Sequence, residues 1–404
     1  MAYDYSVDEY IVQQKGYDFF VNHNNSLNTI NNLYSSFQTS RLGHTIYPED
    51  FGGMYIDENG NLILMVVGLQ EEGTISRFSD DGITKEANFS FNEILELHSY
   101  ISYLFMNHYT NPIIANIATS GVDVINNNIT IALFDYTEEQ INLFERYITD
   151  SPIVVFKEFV DLGEQVLGYS FYYNYSIIDE DYNTDENYDT MLDCEIILLE
   201  ESYIDITPLS TTLAPGDRIY IRRGNQTSRL SIGFRASNGR NGFVTAAHGF
   251  GGKRAGDLIF DGNNINQIGV VGPNPRLQGI DAAFVELNSN VTISATLGSI
   301  NLTPTIANPV VGQFVTSRGT PSGSRGGTIA SVNQYAVVDN IRFENTAVVN
   351  IRSAAGDSGG IVFSQLGPAT VGAVQGIAVT QIGTTQTRMS KASQITSTTG
   401  WRTI

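Results

Sequence analysis

Three side chains in the back half of the chain have the types and the order of an acyl-transfer triad. His248, the single histidine of that half, ends an apolar segment, Asp281 precedes another, and Ser358 lies in a glycine-rich turn. A serine hydroxyl becomes a strong nucleophile when a neutral imidazole takes its proton. A buried carboxylate then fixes the imidazole tautomer and stabilises the imidazolium. These residue types together therefore predict a covalent hydrolase. Their local sequences are Gly242-Phe243-Val244-Thr245-Ala246-Ala247-His248-Gly249, Gly279-Ile280-Asp281-Ala282-Ala283 and Ala355-Gly356-Asp357-Ser358-Gly359-Gly360.

The glycines around Ser358 also suit an oxyanion hole. They allow the backbone to turn its amides toward a developing negative charge, and we expect the N–H groups of Gly356 and Ser358 to be the donors. Removing one such donor typically costs about 3–4 kcal/mol of transition-state stabilisation.

Each of the three residues alone has an ordinary structural explanation. A histidine after a strand is often a buried core residue, an aspartate before a strand is often a turn or cap residue, and Gly-Asp-Ser-Gly-Gly can be a tight loop. All three in this order within one β-rich segment favour the catalytic interpretation.

Composition excludes several classes of protein. The chain has 404 residues with 42% apolar and 16% charged side chains, which predicts two or three folded domains rather than disorder. A net charge of −21 argues against a nucleic-acid partner. The single cysteine, Cys194, excludes an internal disulfide framework and a thiolate-rich metal site. The triad chemistry needs no cofactor, and we expect no metal site.

We also expect no membrane partner. The run Leu62–Val67 is too short to span a bilayer, and the first residues lack the basic and apolar regions of a signal peptide.

The charge is divided between two halves. Residues 1–210 carry 35 acidic and 6 basic side chains, a net charge of −29, and residues 211–404 carry 8 acidic and 16 basic ones, a net charge of +8. Two such halves should attract each other at low salt. Independent divergence of the surface charges of two domains explains the difference equally well.

The front half is predicted to be mixed α/β. The segment Thr207–Gly216 has the composition of a linker, so we place one domain at 1–210 and another at 211–404. Ahead of it, an acidic segment, 179–201, partly imitates a calcium loop, but Glu186 and Leu192 stand where the loop needs glycine and glutamate, which favours a solvated loop. The predicted elements are a helix over 13–37, a hairpin over 54–67 turning at Asn59-Gly60, helices from Ser90 to about Phe105 and from Thr137 to about Tyr147, and a strand over 153–156.

The back half is predicted to be all-β. Short alternating runs are separated by Gly, Asn and Pro clusters at the spacing of a barrel or sandwich, and a short helix is expected near 391–396. The runs are 218–221, 231–236, 242–246, 282–287, 312–316, 347–351 and 360–363.

The two motifs around His248 and Ser358 resemble those of chymotrypsin-like serine proteases. Thr245-Ala246-Ala247-His248 and Gly356-Asp357-Ser358-Gly359-Gly360 are most similar to the small bacterial branch, α-lytic protease and the streptogrisins. Ser231-Ile232-Gly233-Phe234 and the segment 311–323 add to the resemblance, which covers about 214–404. It implies a double six-stranded β-barrel with the triad in the cleft between the barrels.

A weaker resemblance connects residues 45–70 to the pro-region of that branch, on the hairpin Phe51-Gly52-Gly53-Met54-Tyr55-Ile56-Asp57-Glu58-Asn59-Gly60. In that family the pro-region templates folding of the protease, inhibits it and is then removed. The resemblance thus implies a multi-domain chain: a mixed α/β (α+β) pro-domain followed by an all-β chymotrypsin-like protease domain that is kinetically stable.

The chain departs from the family at its cysteines, whose positions align with Gly249, Thr316 and Gly326. Absent disulfides suit a reducing cytosol or an anaerobic secretion route. The family is secreted, so secretion and a cytoplasmic location both stay open.

The resemblance also suggests supporting residues. It implies an ion pair between Asp357, beside the nucleophile, and Arg318. Val379, Thr380 and Gln381 replace the Ser-Gly-Gly stretch that binds substrate backbone and lines the specificity pocket, and Arg352 points either into or away from that pocket. No preference for a substrate side chain follows.

The sequence therefore predicts a serine endopeptidase that acts on protein or peptide substrates, is bound by its own pro-domain and cuts itself in the 201–216 linker. A protease-like scaffold or binding protein with a permanent N-terminal interaction domain is the alternative from another class. An esterase is a third possibility, although no strand-turn-helix elbow is evident around Ser358.

Overall fold

The computed structural model describes most of the chain on both sides of one long gap. The acidic segment 179–201 and the first part of the predicted linker lie outside the described residues. These residues are 7–39, 45–69, 78, 81–163, 165–166, 211–223, 226–250, 255–273, 279–339, 341–365 and 371–404.

The front region combines helices with a two-stranded sheet, a three-stranded sheet and strands of a larger sheet. The helix predicted over 13–37 is present as α2, but it begins only at Tyr17, because Gly16 adopts a φ of +91° and separates it from α1. The capping box at Ser90 is confirmed, since its side chain accepts from the Glu93 N–H and the Glu93 side chain accepts from the Ser90 N–H. The helices are α1 (Val7–Lys15), α2 (Tyr17–Ser36), α3 (Phe91–Asn107), α4 (Pro112–Ala115) and α5 (Glu138–Tyr147).

The predicted hairpin is present in the three-stranded sheet. Asp57 holds its turn by accepting the N–H groups of Asn59 and Asn61. β3, β4 and β5 form one sheet, and β6, β7 and β8 form part of a larger one. The front strands are β1 (Gln38–Thr39), β2 (Thr45–Ile46), β3 (Phe51–Ile56), β4 (Leu62–Val67), β5 (Ile83–Ala87), β6 (Ile117–Asp123), β7 (Asn128–Leu133), β8 (Val154–Glu158) and β9 (Gln165–Val166).

The back region is almost entirely β, as predicted. A 3-10 turn over His248–Phe250 follows β14, and the predicted final helix is α6 (Ala392–Thr399). The strands are β10 (Thr211–Leu213), β11 (Arg218–Arg223), β12 (Gln226–Ser231), β13 (Arg235–Ser237), β14 (Asn241–Thr245), β15 (Leu258–Phe260), β16 (Gln267–Val271), β17 (Ala283–Leu287), β18 (Val291–Ile293), β19 (Thr296–Leu297), β20 (Ile300–Ile306), β21 (Phe314–Gly319), β22 (Gly323–Val338), β23 (Ile341–Val349), β24 (Ile361–Gln365), β25 (Val371–Ile382), β26 (Gln386–Lys391) and β27 (Arg402–Thr403).

These strands form two barrel-like sheets. The first runs in the order β12-β11-β15-β16-β17-β14-β13-β27. The second closes on itself, because β21 pairs with β22, β22 with β23, β23 with β26, β26 with β25, β25 with β24, and β24 again with β21. The predicted fold class, a mixed α/β front region followed by an all-β pair of barrels, is confirmed.

The front region is joined to the second barrel by a shared sheet. β6 pairs antiparallel with β22, in a register that places Val122 opposite Val332 and Ser120 opposite Tyr335. β6, β7 and β8 thereby extend the barrel sheet. In the described part of the chain no helix is long and apolar enough to cross a membrane.

Candidate active site

The structure brings His248, Asp281 and Ser358 into one hydrogen-bonded chain between the barrels. Nε2 of His248 lies 2.8 Å from Oγ of Ser358, and Nδ1 of His248 contacts Oδ2 of Asp281. His248 is 3% exposed, and Asp281 and Ser358 are fully buried. With Nδ1 protonated toward the carboxylate, Nε2 is left as the acceptor for the serine hydroxyl.

Asp281 is fixed by the segment that carries the histidine. Its Oδ1 accepts the backbone N–H groups of Ala247, at 2.6 Å, and of His248, at 2.9 Å. β14 ends at Thr245 and β17 begins at Ala283, and these two residues are directly paired, so the strand ends place histidine and carboxylate side by side. One carboxylate therefore both holds the imidazole and shapes its loop.

Two glycines in the left-handed region shape the turn around Ser358. Gly356 has a φ of +100° and Gly359 a φ of +80°. A side chain at Gly359 would stand 2.0 Å from the Thr245 hydroxyl, so the position also permits the close approach of the first barrel. The Ser358 carbonyl accepts the Ser231 N–H at 2.8 Å, which fixes the turn to β12.

The side chain of Ser231 contributes to this turn in a way that the sequence did not reveal. Its hydroxyl donates to the Gly356 carbonyl at 2.8 Å and accepts the Thr320 N–H at 2.8 Å. The residue is completely buried. It therefore orients the peptide that follows Gly356 and connects both barrels. In the sequence, the only indication of this role is that Ser231 begins the motif Ser231-Ile232-Gly233-Phe234, which resembles the family.

The predicted ion pair between Asp357 and Arg318 is wrong. The Asp357 carboxylate accepts the backbone N–H groups of Ser322, at 3.0 Å, and Ala354, at 2.8 Å. The aliphatic part of Arg318 instead packs on Gly216, where an added Cβ would be 2.4 Å from its Cγ. Backbone donors thus replace the guanidinium at this carboxylate.

The predicted pocket residues differ in placement. Val379 and Thr380 are fully buried in β25, and Gln381, half-buried, donates to the Gly383 carbonyl at 2.8 Å. Arg352 is exposed, and its carbonyl accepts from Arg325 at 3.3 Å, so its side chain does not enter the protein.

Two hydroxyls close the space between the nucleophile loop and β26. Oγ of Ser353 is 2.7 Å from Oγ1 of Thr387, which donates to the Ile351 carbonyl at 2.6 Å. Both side chains are buried, and neither was identified from the sequence.

A strand of the front region, β9, pairs with β25 on the side opposite β26. Val166 pairs with Thr380 and Gln165 with Gln381, in antiparallel register. Ala378, two residues before Thr380, accepts the Gly359 N–H at 2.8 Å, directly beside Ser358. β9 therefore pairs with β25 two residues from the contact that flanks Ser358.

Among the described residues, no three His, Cys, Asp or Glu side chains converge as a metal site would require.

Family models match the front region over two adjacent segments. A Pro-like N-terminal domain matches residues 15–91, and a Pro-like C-terminal domain matches residues 92–158. The predicted resemblance to a pro-region is confirmed and reaches well beyond residues 45–70. No curated protein sequence matches the chain.

Solved bacterial proteases resemble about half of the chain. Protease A of Thermobifida fusca is 22% identical over 48% of this chain and 99% of its own, with a TM-score of 0.41. Nocardiopsis protease is 23% identical over 48% of this chain and 99% of its own, with a TM-score of 0.39. An α-lytic protease homolog, N4, is 20% identical over 48% of this chain and 99% of its own, also with a TM-score of 0.39.

Proposed function

We propose that this chain, in which a Pro-like region precedes a chymotrypsin-like pair of barrels, is the precursor of a serine endopeptidase. The observation that carries the proposal is the contact of Nε2 of His248 with Oγ of Ser358 at 2.8 Å, with Asp281 at the other ring nitrogen. Three residues that are distant in the chain make one proton relay, and acyl transfer is the chemistry that needs it.

The geometry supports the following reaction. His248 takes the proton of Ser358 as Oγ attacks the peptide carbonyl, and the Gly356 and Ser358 N–H groups stabilise the oxyanion. When the tetrahedral intermediate collapses, the C–N bond breaks and the leaving amine receives the proton from the imidazolium. A water molecule then gives its proton to His248 and hydrolyses the acyl-enzyme, which restores the serine hydroxyl.

We assign residues 1–210 to a pro-domain and 211–404 to the protease. Two observations support inhibition by the front region: β9 occupies the edge of β25 beside the nucleophile, and Ser358 is fully buried. The net charges of −29 and +8 favour the association of the two parts. Self-processing in the 201–216 linker then separates them, and the substrates are proteins or peptides rather than acidic nucleic acids.

Hydrolysis of casein by purified protein tests the proposal. Wild type should release peptides, and Ser358→Ala and His248→Ala should not. Ser99→Ala, in which an exposed helical serine is removed, is the matched control and should retain activity. Equal hydrolysis by wild type and Ser358→Ala would overturn the assignment.

The alternative, a protease-like scaffold with a permanent N-terminal domain, is favoured by the same covered edge of β25. It predicts that the front region stays bound and that casein is not hydrolysed under any condition that keeps the barrels folded. For the enzyme we propose secretion on the basis of the family resemblance, with the cytoplasm as the alternative.

A further inference from the structure

Two histidines of the Pro-like region are buried against the barrels without taking part in the triad. His23, on α2, is 2% exposed, and its Nε2 accepts the backbone N–H of Phe314 at 2.9 Å. Phe314 begins β21 of the second barrel. An imidazole accepts a hydrogen bond only when it is neutral, so this contact between the two regions requires an uncharged His23.

His98, on α3, makes the second contact. It is 3% exposed, and its ring packs edge-on against that of Tyr335 at 5.0 Å. Tyr335 belongs to β22, in the ladder that joins β22 to β6. Within the described part of the chain, Nε2 of His98 is buried and has no hydrogen-bond partner. A proton added there would bring a charge without a compensating acceptor.

A buried cation makes protonation of His98 more costly. Lys391, at the end of β26, is 7% exposed, and its Nζ donates to Oδ1 of Asn333 at 2.8 Å and also contacts Oδ1 of Asn345. Burial, followed by the charge of Lys391, lowers the pKa of His98 to about 4, while a hydrogen bond with the Ser120 backbone raises it. Burial also lowers the pKa of Lys391 to about 7, so this lysine is charged below that pH.

The neighbours of His23 are mainly uncharged. Its ring stacks on that of Phe19, with 5.4 Å between the ring centres. Nζ of Lys15 lies 5.6 Å from the centre of the Phe19 ring. From α1, the ring of Tyr10 packs on Phe314, and Asp57 is engaged by its own hairpin turn. Burial lowers the pKa of His23 to about 4, and a hydrogen bond with Asn24 opposes this shift.

Two carboxyl groups, Asp8 with a hydrogen bond to Gln365 of β24 and Glu344 near Tyr335, act in the opposite direction. Burial raises the pKa of Asp8, on α1, and of Glu344, on β23. Burial is also the main cause that raises the pKa of Tyr335, and the charge of Glu344 adds to it. Acidification stabilises their buried, protonated forms. Protonation of these two groups therefore offsets part of the loss of docking that protonation of the histidines causes.

We propose that His23 and His98 form a pH-sensitive latch: protonation of these two buried imidazoles weakens docking of the Pro-like region on the barrels, and acidification thereby uncovers the active site. The inference rests on the proposed function in that it describes how the proposed precursor is activated. In the docked state both pKa values lie below the value of 6.5 of an exposed histidine. Docking is therefore strongest above pH 6.5 and is lost progressively as the pH falls toward 4.

The steepness follows from proton linkage. At pH values between its pKa in the docked state and its pKa when exposed, each histidine weakens docking by roughly tenfold per pH unit. The two histidines together should therefore weaken docking by roughly a hundredfold per pH unit. Between pH 6.5 and 5.5 most surface carboxylates remain ionised. Loss of docking in that range is therefore attributable to histidine rather than to neutralisation of the acidic front region.

Hydrogen–deuterium exchange of the full chain tests the latch. We would use Ser358→Ala, which prevents self-digestion, and follow peptides that cover Phe314 and residues 119–122 from pH 7.5 to 4.5, corrected for intrinsic exchange rates. A peptide over β14, in the first barrel, reports global unfolding. In the same background, His23→Gln supplies an uncharged acceptor to Phe314, and His98→Phe keeps a ring against Tyr335. His108→Gln, at the exposed end of α3, is the matched control.

The latch predicts that the two reporter peptides lose protection below pH 6.5 while the β14 peptide keeps it, and that the His23→Gln/His98→Phe variant retains protection to at least one pH unit lower. His108→Gln should follow the parent. If the double variant does not fold at pH 7.5, the single variants replace it. Each of them should lower the pH at which half of the protection is lost by about half of the shift expected for the double variant. Unchanged protection in the parent, or equal loss in parent and variants, would overturn the latch. Because exchange needs no catalysis, either result is independent of whether the chain hydrolyses peptides.

Discussion

The Ser231 hydroxyl donates to the Gly356 carbonyl at 2.8 Å, although 125 residues separate the two in the chain. The same hydroxyl accepts the Thr320 N–H, so a residue of β12 in the first barrel fixes the turn that belongs to the second. Gly356 is one of the two proposed oxyanion donors. The Gly356 carbonyl belongs to the peptide that links Gly356 to Asp357, which lies between the peptides that carry the Gly356 and Ser358 N–H groups. A side chain that neither attacks nor exchanges a proton therefore fixes the peptide between the two proposed donors.

Ser231→Ala should lower kcat more than it raises KM. The variant leaves the buried Gly356 carbonyl and the Thr320 N–H without this partner, a loss of about 1–3 kcal/mol. Because the lost contact fixes the peptide between the two proposed oxyanion donors, we expect the rate to fall by roughly 5- to 100-fold. Steady-state hydrolysis of a peptide substrate measures this. Ser364→Ala, which removes another buried hydroxyl, in β24, is the control, and an equal loss of kcat in both variants would contradict the positioning role.

Asp281→Asn should leave the fold intact and remove most activity. An amide at this position no longer stabilises the imidazolium and favours the wrong tautomer, and such a change costs about 10⁴-fold in a triad of this kind. Single-turnover acylation by an activated ester measures the effect. Acylation within tenfold of the wild-type rate would show that the carboxylate serves only to hold the loop.

Arg342→Ala should weaken attachment of the front region. Its guanidinium lies 4.9 Å from the ring centres of both Phe105 and Tyr109, on the opposite side of the interface, and donates to the Phe105 carbonyl at 3.3 Å. Loss of these contacts should cost about 1–3 kcal/mol. Urea unfolding in the Ser358→Ala background measures it. Arg240→Ala, which removes an exposed ion pair with Glu286, should cost less than about 1 kcal/mol.

Val166→Pro should expose the active site. Proline cannot donate a backbone N–H and does not fit a paired strand, so β9 should leave β25. The proposed inhibition predicts faster modification of Ser358 by a small covalent inhibitor in the unprocessed chain. Val160→Pro, an exposed position outside the strands, is the control. Identical rates in Val166→Pro and wild type would exclude inhibition by β9.

Self-processing should occur in the linker between residues 201 and 216. Wild type should yield two fragments on a denaturing gel and Ser358→Ala one full-length chain. N-terminal sequencing of the smaller fragment locates the bond. A wild type that stays full length while it digests casein would exclude self-cleavage but not the protease assignment.

Features encoded in local sequence were predictable, and those that depend on distant segments were not. The triad motifs, the capping box at Ser90 and the turn at Asn59-Gly60 each lie within a few residues. By contrast, the roles of Ser231 and Thr387 arise where separate strands approach each other, and the pairing of β6 with β22 joins segments about 200 residues apart. Only the family resemblance suggests a pair between Arg318 and Asp357, whereas nearby backbone N–H groups satisfy that carboxylate.

Mass mapping of a fluorophosphonate adduct tests the central claim most directly. The reagent phosphonylates a serine only where a neighbouring base activates the hydroxyl. We predict a single adduct on the peptide that contains Ser358 in the released protease, and no adduct there in His248→Ala. A folded protease that remains unmodified at Ser358, or one modified equally with and without the imidazole, would contradict the account.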